Sequence, residues 1–278
     1  MPKIKGAGTL SDLPILCVIT GVDKVPPEEW DAYTNAPTDP MKQAIERKCL
    51  DVSRRLQEGA GVAPGQIEYC SALKRYHLLP VVTAVVKHAR SGVRVLGLQP
   101  KDPWEMADPE ARELVEQERQ RRYGGKPPVP SAERLIDEIG KDLPAAEARR
   151  LQSALRDETA QPARIAIFGQ AGAGKTTLVN SAFSATFKTS HTFPGTDKAQ
   201  IKEFDVDGGG TLQIIDLPGY GRSIREDKKY EAIYADSIPG CDLVVLVVQA
   251  DKRDLADDIE MIPKLAGWLR SPGRTQAS

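Results

Sequence analysis

Residues 164–176 decide the fold, and they read Arg-Ile-Ala-Ile-Phe-Gly-Gln-Ala-Gly-Ala-Gly-Lys-Thr. The first five are mostly apolar, which is typical of a strand buried in a sheet. Gly169 to Thr176 match the pattern GxxxxGK[ST], and a helical pattern begins at Lys175. Strand, glycine-rich loop and helix in this order predict a phosphate-binding loop (P-loop), because loop amides and a helix N-terminus both attract anions.

Each position of the P-loop has an expected contact with a bound nucleotide. Lys175 is expected to pair with β- and γ-phosphate oxygens, and the hydroxyl of Thr176 to ligate Mg²⁺. The other phosphate contacts are assigned to the rest of the loop and to the residue after it: Gly169, Gln170, Ala171, Gly172, Ala173, Gly174 and Thr177.

A second element, Asp216-Leu-Pro-Gly219, follows the strand pattern at 211–215. Alone, a DxxG pattern is more often a simple turn. After a P-loop, a carboxylate at the end of a neighbouring strand suits Mg²⁺, usually through water. Asp216 is therefore a predicted metal residue, and the N–H of Gly219 is expected to sense the γ-phosphate.

The loop between these elements contains Phe193-Pro-Gly-Thr196-Asp197, which has turn chemistry. Thr196 is the favoured residue to complete the Mg²⁺ shell, with Thr189 and Thr192 as alternatives. His191 lies in the same loop and is a weaker candidate for a phosphate contact. Residues 188–198 and 219–228 are predicted to be loops that change conformation with the nucleotide.

Both ends of the chain alternate strand and helix patterns, which predicts an α/β fold. Asp207-Gly-Gly-Gly210 separates two alternating segments and predicts a hairpin. The predicted strands are 14–19, 66–69, 164–168, 200–206, 211–215 and 242–248, and the predicted helices are 41–57, 78–89, 175–183, 226–237 and 254–269.

The middle of the chain is rich in charge and proline and predicts three helices, at 104–122, 131–140 and 144–158. We interpret it as a solvated helical linker in preference to a surface for a partner. The predicted organisation is therefore an α/β segment at 1–98, a charged linker at 99–162 and a second α/β segment at 163–278.

Composition limits the classes of function. Among 278 residues the net charge is -1, and 40% are hydrophobic and 28% charged, as in ordinary globular proteins. Bulk charge does not favour a nucleic-acid or membrane partner. The four cysteines form no CxxC pair, so we expect reduced thiols rather than a disulfide framework or a zinc site. No apolar stretch approaches a membrane span, and we expect a cytoplasmic protein.

These motifs resemble the Era/TrmE-like branch of P-loop GTPases, in particular the bacterial ribosome-binding GTPases of the YfjP and YeeP type. GQAGAGKT is similar to their first motif (G1), Thr196 to their second (G2) and DLPG to their third (G3). The stretch after DLPG, as far as QADKRDLADD, is similar as well. The resemblance implies a doubly wound, Ras-like α/β sheet that binds GTP or GDP with Mg²⁺ and hydrolyses GTP, with a ribosomal or membrane-associated partner by analogy only.

The guanine-reading motifs of that family have counterparts near the N-terminus. The strand at 14–19 followed by Thr20-Gly-Val-Asp23-Lys24 resembles the fourth motif (G4), and Ser71-Ala72-Leu73 resembles the fifth (G5). The resemblance implies that Asp23 accepts hydrogen bonds from guanine and that the Ala72 N–H donates to its O6. The motif order is G4-G5-G1-G2-G3, which fits a circularly permuted domain or a window cut from two tandem domains. We favour one closed, permuted domain.

Three positions depart from the family pattern and leave other functions open. Thr20 and Gly21 replace the usual asparagine and lysine, so base stacking and tethering of the G4 loop should be weaker. Tyr220 stands where Ras-like enzymes carry the glutamine that positions water, so hydrolysis should be slow or use another group. A P-loop ATPase, or a non-catalytic nucleotide-binding remnant of a tandem GTPase, are the alternatives.

Overall fold

The computed structural model describes residues 12–32, 34–89, 146, 147, 149, 150, 153, 162–182, 199–205, 211–221, 223–252 and 254–271. Thr189, His191, Thr192 and Thr196 lie outside these residues. So does most of the segment predicted as a helical linker, although residues 146, 147, 149, 150 and 153 are helical.

A six-stranded sheet forms the centre of the molecule, in the order β4-β1-β8-β5-β7-β6. All neighbours in it are parallel except β6 and β7, which form an antiparallel hairpin. A separate pair, β2 and β3, is also antiparallel. The strands are β1 Ile15–Thr20, β2 Trp30–Asp31, β3 Ala36–Pro37, β4 Ile67–Tyr69, β5 Ala163–Gly169, β6 Gln200–Asp205, β7 Thr211–Asp216 and β8 Leu243–Gln249.

Two neighbouring inner strands, β1 and β8, explain why distant parts of the chain meet in one sheet. Their sequences, Ile-Leu-Cys-Val-Ile-Thr and Leu-Val-Val-Leu-Val-Val-Gln, are continuous apolar runs, as expected for strands covered on both faces. They pair in parallel over six positions, from Ile15 with Val244 to Thr20 with Gln249. The N-terminal segment therefore supplies two strands, β1 and β4, to the sheet that contains the P-loop strand β5.

Five helices cover the two faces of the sheet within the described residues. They are α1 Asp39–Ala60, α2 Leu78–His88, α3 Lys175–Ala182, α4 Ile224–Ser237 and α5 Ala256–Arg270. The buried residues of α1, α4 and α5 belong to one apolar cluster, and those of α2 and α3 to the other. Each cluster takes alternate residues of the central strands, as the two-residue period of a strand requires.

Most elements lie where the sequence predicts them, with two corrections. The polar stretch after β1 forms the β2–β3 hairpin. The sequence did not predict this hairpin, because its strands are short and do not alternate apolar and polar residues. The region 219–228, predicted as a mobile loop, is helical from Ile224 onwards. Ser223 ends the loop because its hydroxyl accepts the N–H of Glu226 at 3.3 Å and donates to the carboxylate of Glu226 at 3.1 Å.

The four cysteines are free thiols, and three of them are buried. Burial raises the pKa of Cys70 to about 12, so this thiol stays protonated at neutral pH. Among the described residues, no helix is both long and apolar enough to cross a bilayer.

Candidate functional site

The P-loop connects the carboxyl end of β5 to the N-terminus of α3. A Cβ at Gly169 would overlap the carbonyl oxygen of Val247 in the neighbouring strand, so the loop can begin here only with glycine. Lys175 is 8% exposed, and its Nζ donates to the carbonyl oxygens of Gly169 (3.1 Å) and Gln170 (2.9 Å). These bonds hold the ammonium group against the loop, where a phosphate would lie.

Thr176 and Asp216 meet beside the P-loop. The Thr176 hydroxyl donates to Asp216 Oδ2 at 2.7 Å, while the buried Oδ1 has no hydrogen-bond partner. Burial raises the pKa of Asp216; the bond from Thr176 and the charge of Lys175 act in the opposite direction. An unpaired buried carboxylate oxygen is costly. Hard oxygen donors of this kind fit Mg²⁺, so the residues present suit the metal that the sequence predicts.

Gly219 lies directly over the P-loop. A Cβ there would be 2.5 Å from the nitrogen of Ala171 and 2.8 Å from Nζ of Lys175. The N–H of Ala171 donates to the carbonyl oxygen of Tyr220 at 2.9 Å. The segment after Asp216 is therefore in contact with the P-loop.

Thr20, at the end of β1, joins the N-terminal segment to the P-loop. Its hydroxyl donates to the carbonyl oxygen of Ala173 at 2.7 Å and lies 3.3 Å from that of Val248. Thr20 is 3% exposed, so little water competes for these bonds. The sequence predicts weaker tethering from Thr20 and Gly21 together; the structure shows that the Thr20 hydroxyl connects the two loops.

The residues that resemble guanine-reading motifs also meet. The Ser71 hydroxyl donates to Asp23 Oδ1 at 2.5 Å, across two segments of the chain. The carbonyl oxygen of Ala72 accepts from the hydroxyl of Ser181 on α3 at 2.8 Å. Lys24 is exposed, and Leu73 is 65% exposed.

Tyr220 does not point towards solvent. Its ring packs on Phe168 with centroids 5.0 Å apart, and its hydroxyl donates to Asp258 Oδ1 at 2.6 Å. Lys252 lies 3.1 Å from Asp258 Oδ2. Sequence reasoning missed the role of Asp258, because a buried partner for Tyr220 from α5 has no local sequence signal.

The structure thus brings together most of the predicted site residues. Thr20 contacts the P-loop, Asp23 contacts Ser71, and half-buried Thr177 lies in the first turn of α3. Thr196, the third predicted Mg²⁺ residue, lies outside the described residues.

Part of the chain is similar in sequence to known proteins. Residues 164–271 match a family model described as a 50S ribosome-binding GTPase. The chain is 29% identical to protein YfjP of Escherichia coli K12 over 125 residues, 45% of this chain and 44% of that protein. It is 27% identical to GTPase Der of Geotalea uraniireducens over 144 residues, 50% of this chain and 30% of Der.

A third relative is GTPase Era of Dinoroseobacter shibae, 29% identical over 119 residues, 41% of this chain and 38% of Era. The chain thus spans less than half the length of these relatives. The segment that matches the family model, residues 164–271, carries the P-loop strand, Lys175 and Asp216. Residues 164–271 are thus similar in sequence to a P-loop GTPase domain.

Proposed function

We propose that this protein binds GTP with Mg²⁺ at the carboxyl ends of β5, β7 and β1 and hydrolyses it as a conformational switch. One observation carries the proposal: the 2.7 Å hydrogen bond from Thr20 to Ala173. It joins a phosphate-binding loop to a loop that resembles a guanine-reading motif, although 153 positions separate the two residues. Ligands of open α/β sheets bind in this crevice.

The phosphates are bound by the P-loop in this proposal. Lys175 and backbone N–H groups of the loop and of the first turn of α3 surround them, and α3 adds the positive end of its dipole. The side chains that would hold Mg²⁺ are Thr176, Asp216 and Thr196. Bound Mg²⁺ would neutralise charge on the β- and γ-phosphate oxygens.

The base is bound by the N-terminal segment. Asp23 accepts hydrogen bonds from guanine, and the bond from Ser71 fixes the orientation of its carboxylate. The N–H of Ala72 donates to O6, with Leu73 and Lys24 beside the base. Thr20 keeps this segment at a fixed distance from the phosphates.

Hydrolysis is slow in this proposal. Gly219 contacts the γ-phosphate through its N–H. An in-line water attacks the γ-phosphorus as its bond to the oxygen shared with the β-phosphate breaks, so GDP leaves and inorganic phosphate forms. The Tyr220 hydroxyl is bonded to Asp258 in the core, so Tyr220 does not orient that water. A group from another part of the chain or from a partner has to do so.

The domain organisation is part of the same proposal. Segments 1–98 and 163–278 form one Ras-like domain with motifs in permuted order, joined by the linker 99–162. Support comes from the six-position pairing of β1 with β8. The cytoplasmic location is proposed from the sequence, and the ribosomal partner is proposed from the resemblance.

Titration of fluorescent GTP and ATP analogues with Mg²⁺, in wild type and Asp23→Asn, tests the proposal. We expect GTP to bind much more tightly than ATP, and Asp23→Asn to shift the preference towards xanthosine triphosphate. Equal binding of GTP and ATP, unchanged in Asp23→Asn, would leave only the phosphate half of the site and favour the ATPase alternative. Binding without turnover would favour a non-catalytic switch.

A further inference from the structure

The β2–β3 hairpin contacts the loop that carries the proposed guanine-reading residues. Asn35, at the turn of this hairpin, donates through Nδ2 to the carbonyl oxygen of Lys74 at 2.8 Å. The indole Nε1 of Trp30 donates to Asn35 Oδ1 at 3.2 Å, which fixes the orientation of the amide. A short segment that no predicted motif contains therefore binds the middle of the loop.

Aromatic contacts join the hairpin to the end of the same loop. The rings of Trp30 and Tyr76 meet edge to face, with centroids 5.3 Å apart and an interplanar angle of 88°. Nζ of Lys74 lies 5.8 Å from the centroid of the Trp30 ring. Both geometries are favourable for aromatic rings, so Trp30 holds the loop at two points.

The loop has a backbone that needs such support. Ser71 and Tyr76 exchange two backbone hydrogen bonds of 3.0 Å, which close the loop. Arg75 and His77 have φ of 52° and 62°, in the left-handed region that residues other than glycine rarely adopt. Such conformations persist only where surrounding contacts enforce them.

The hairpin acts on Asp23 through two intervening residues, Lys74 and Ser71. The Ser71 hydroxyl accepts the N–H of Lys74 at 3.0 Å and donates to Asp23. A shift of Lys74 therefore moves the donor that orients the Asp23 carboxylate. The neighbouring N–H of Ala72 moves with it.

We propose that Asn35 and Trp30 are positioning residues that hold the 71–76 loop in its guanine-binding shape and so determine selectivity for the base. The inference rests on the proposed function. The contacts of Lys175 and Thr176 lie on other elements, so loss of the hairpin contacts weakens binding of guanine nucleotides without weakening the phosphate contacts. The affinity for GDP falls, and the affinity for ADP does not.

Asn35→Asp and Asn35→Gly test this in the full chain. Asn35 has φ of 49°, a conformation that Asp and Gly also accept, so both variants keep the turn. Asp removes the donor to Lys74, and Gly removes both side-chain bonds. The matched control is Thr34→Ala, which removes a 2.6 Å bond to Asp31 within the hairpin.

The measurement is the affinity for fluorescent GDP and ADP analogues. Asn35→Asp and Asn35→Gly should each weaken GDP binding about fivefold, the effect of losing the hydrogen bond to Lys74 that both variants lack. ADP binding should stay constant, and Thr34→Ala should match wild type. Trp30→Phe keeps the ring contact with Tyr76 and loses Nε1, so it should lie between wild type and Asn35→Gly.

Two results would overturn the inference. If both Asn35 variants keep the wild-type ratio of GDP to ADP affinity, or lose affinity for both nucleotides equally, the hairpin has only a structural role. If wild type does not discriminate and Asp23→Asn changes nothing, the proposed guanine site fails and the inference fails with it. Wild type and Asp23→Asn distinguish the two failures, and Asn35→Gly gives the answer if Asn35→Asp does not fold.

Discussion

The hydroxyl of Tyr220 donates a 2.6 Å hydrogen bond to the carboxylate of Asp258, and both side chains are buried. The bond fixes the residue that follows Gly219 to helix α5. On the opposite side, the Tyr220 carbonyl oxygen accepts the N–H of Ala171 in the P-loop. One residue therefore connects the phosphate-binding loop to a helix that contains none of the predicted ligands.

Tyr220→Phe should lower the free energy of unfolding by about 2 kcal/mol, because it leaves a buried carboxylate oxygen without its donor. The ring remains packed on Phe168, so little of the loss comes from packing. Urea unfolding measures the change. The rate of GTP hydrolysis by the nucleotide-bound protein should not fall, because the Tyr220 hydroxyl is bonded to Asp258 and does not contact the attacking water.

Tyr234→Phe is the matched control for this change. The Tyr234 hydroxyl is also buried, but it donates to the carbonyl oxygen of Pro218 at 2.8 Å. Loss of a hydrogen bond to an uncharged acceptor should lower the free energy of unfolding by less, about 1 kcal/mol. Equal losses of stability in the two variants would show that the bond to Asp258 contributes no more than the bond to Pro218. A large fall in turnover in Tyr220→Phe alone would show that Tyr220 acts in hydrolysis.

The hydrogen bond between Tyr220 and Asp258 should also make the free energy of unfolding depend on pH. Burial, followed by the charge of Asp258, raises the pKa of Tyr220 well above its ordinary value of 10. The unfolded chain then loses this proton before the folded protein does, so the stabilising contribution is complete below pH 10 and decreases as pH rises above it. The stability difference between wild type and Tyr220→Phe should therefore shrink from pH 9 towards pH 11. A constant difference would contradict the burial of this hydroxyl.

The close approach of the P-loop to β8 predicts unequal effects at two glycines. Gly169 and Gly172 both have positive φ, 152° and 80°, but only a Cβ at Gly169 would meet the Val247 carbonyl oxygen. Gly172→Ala should cost about 1 kcal/mol of stability from backbone strain alone. Gly169→Ala should cost more, about 3 kcal/mol, because strand backbone cannot move aside. Equal thermal shifts in the two variants would contradict this arrangement.

Sequence reasoning was accurate where the signal is local. The apolar runs of β1 and β8 and the glycine pattern before Lys175 predict buried strands and a P-loop because each depends on neighbouring residues. Sequence reasoning did not predict the contacts between distant segments of the chain. Asp258 as the partner of Tyr220, and Asn35 as the partner of Lys74, are distant pairs of ordinary polar residues without a motif.

The candidate site shows the same division. Thr176 and Asp216 were predicted from spacing after a strand, and they lie in contact. The bond from Thr20 to the P-loop was not predicted. Spacing cannot reveal it, because strands that pair in a sheet can be any distance apart in the chain.

Asp216→Asn should separate metal binding from nucleotide binding. Without Mg²⁺ the variant should be at least as stable as wild type, because it removes a buried charge whose Oδ1 has no partner. Wild type with GDP and Mg²⁺ at 100 times the dissociation constant should gain about 2.7 kcal/mol. Thermal unfolding with and without EDTA measures both. The variant should show no dependence on Mg²⁺; if it keeps the full dependence, the metal binds elsewhere.

Cleavage of the linker tests whether segments 1–98 and 163–278 form one domain. A protease site engineered between 99 and 162 should yield two fragments that remain associated during gel filtration and still bind GDP. The reason is the position of β1, whose five residues from Ile15 to Ile19 are each at most 2% exposed. Separation would expose these side chains at about 1.5–3 kcal/mol each.

Val18→Asp in the cleavable protein is the control for this association. Val18 is fully buried and pairs with Val247 at the centre of the sheet, and a carboxylate has no partner there. The burial cost of an unpaired charge should separate the cleaved fragments and abolish GDP binding. If the fragments with native Val18 already elute apart, β1 does not complete this sheet within one chain. Retention of GDP by the 163–278 fragment alone would further show that Asp23 and Ala72 do not read the base.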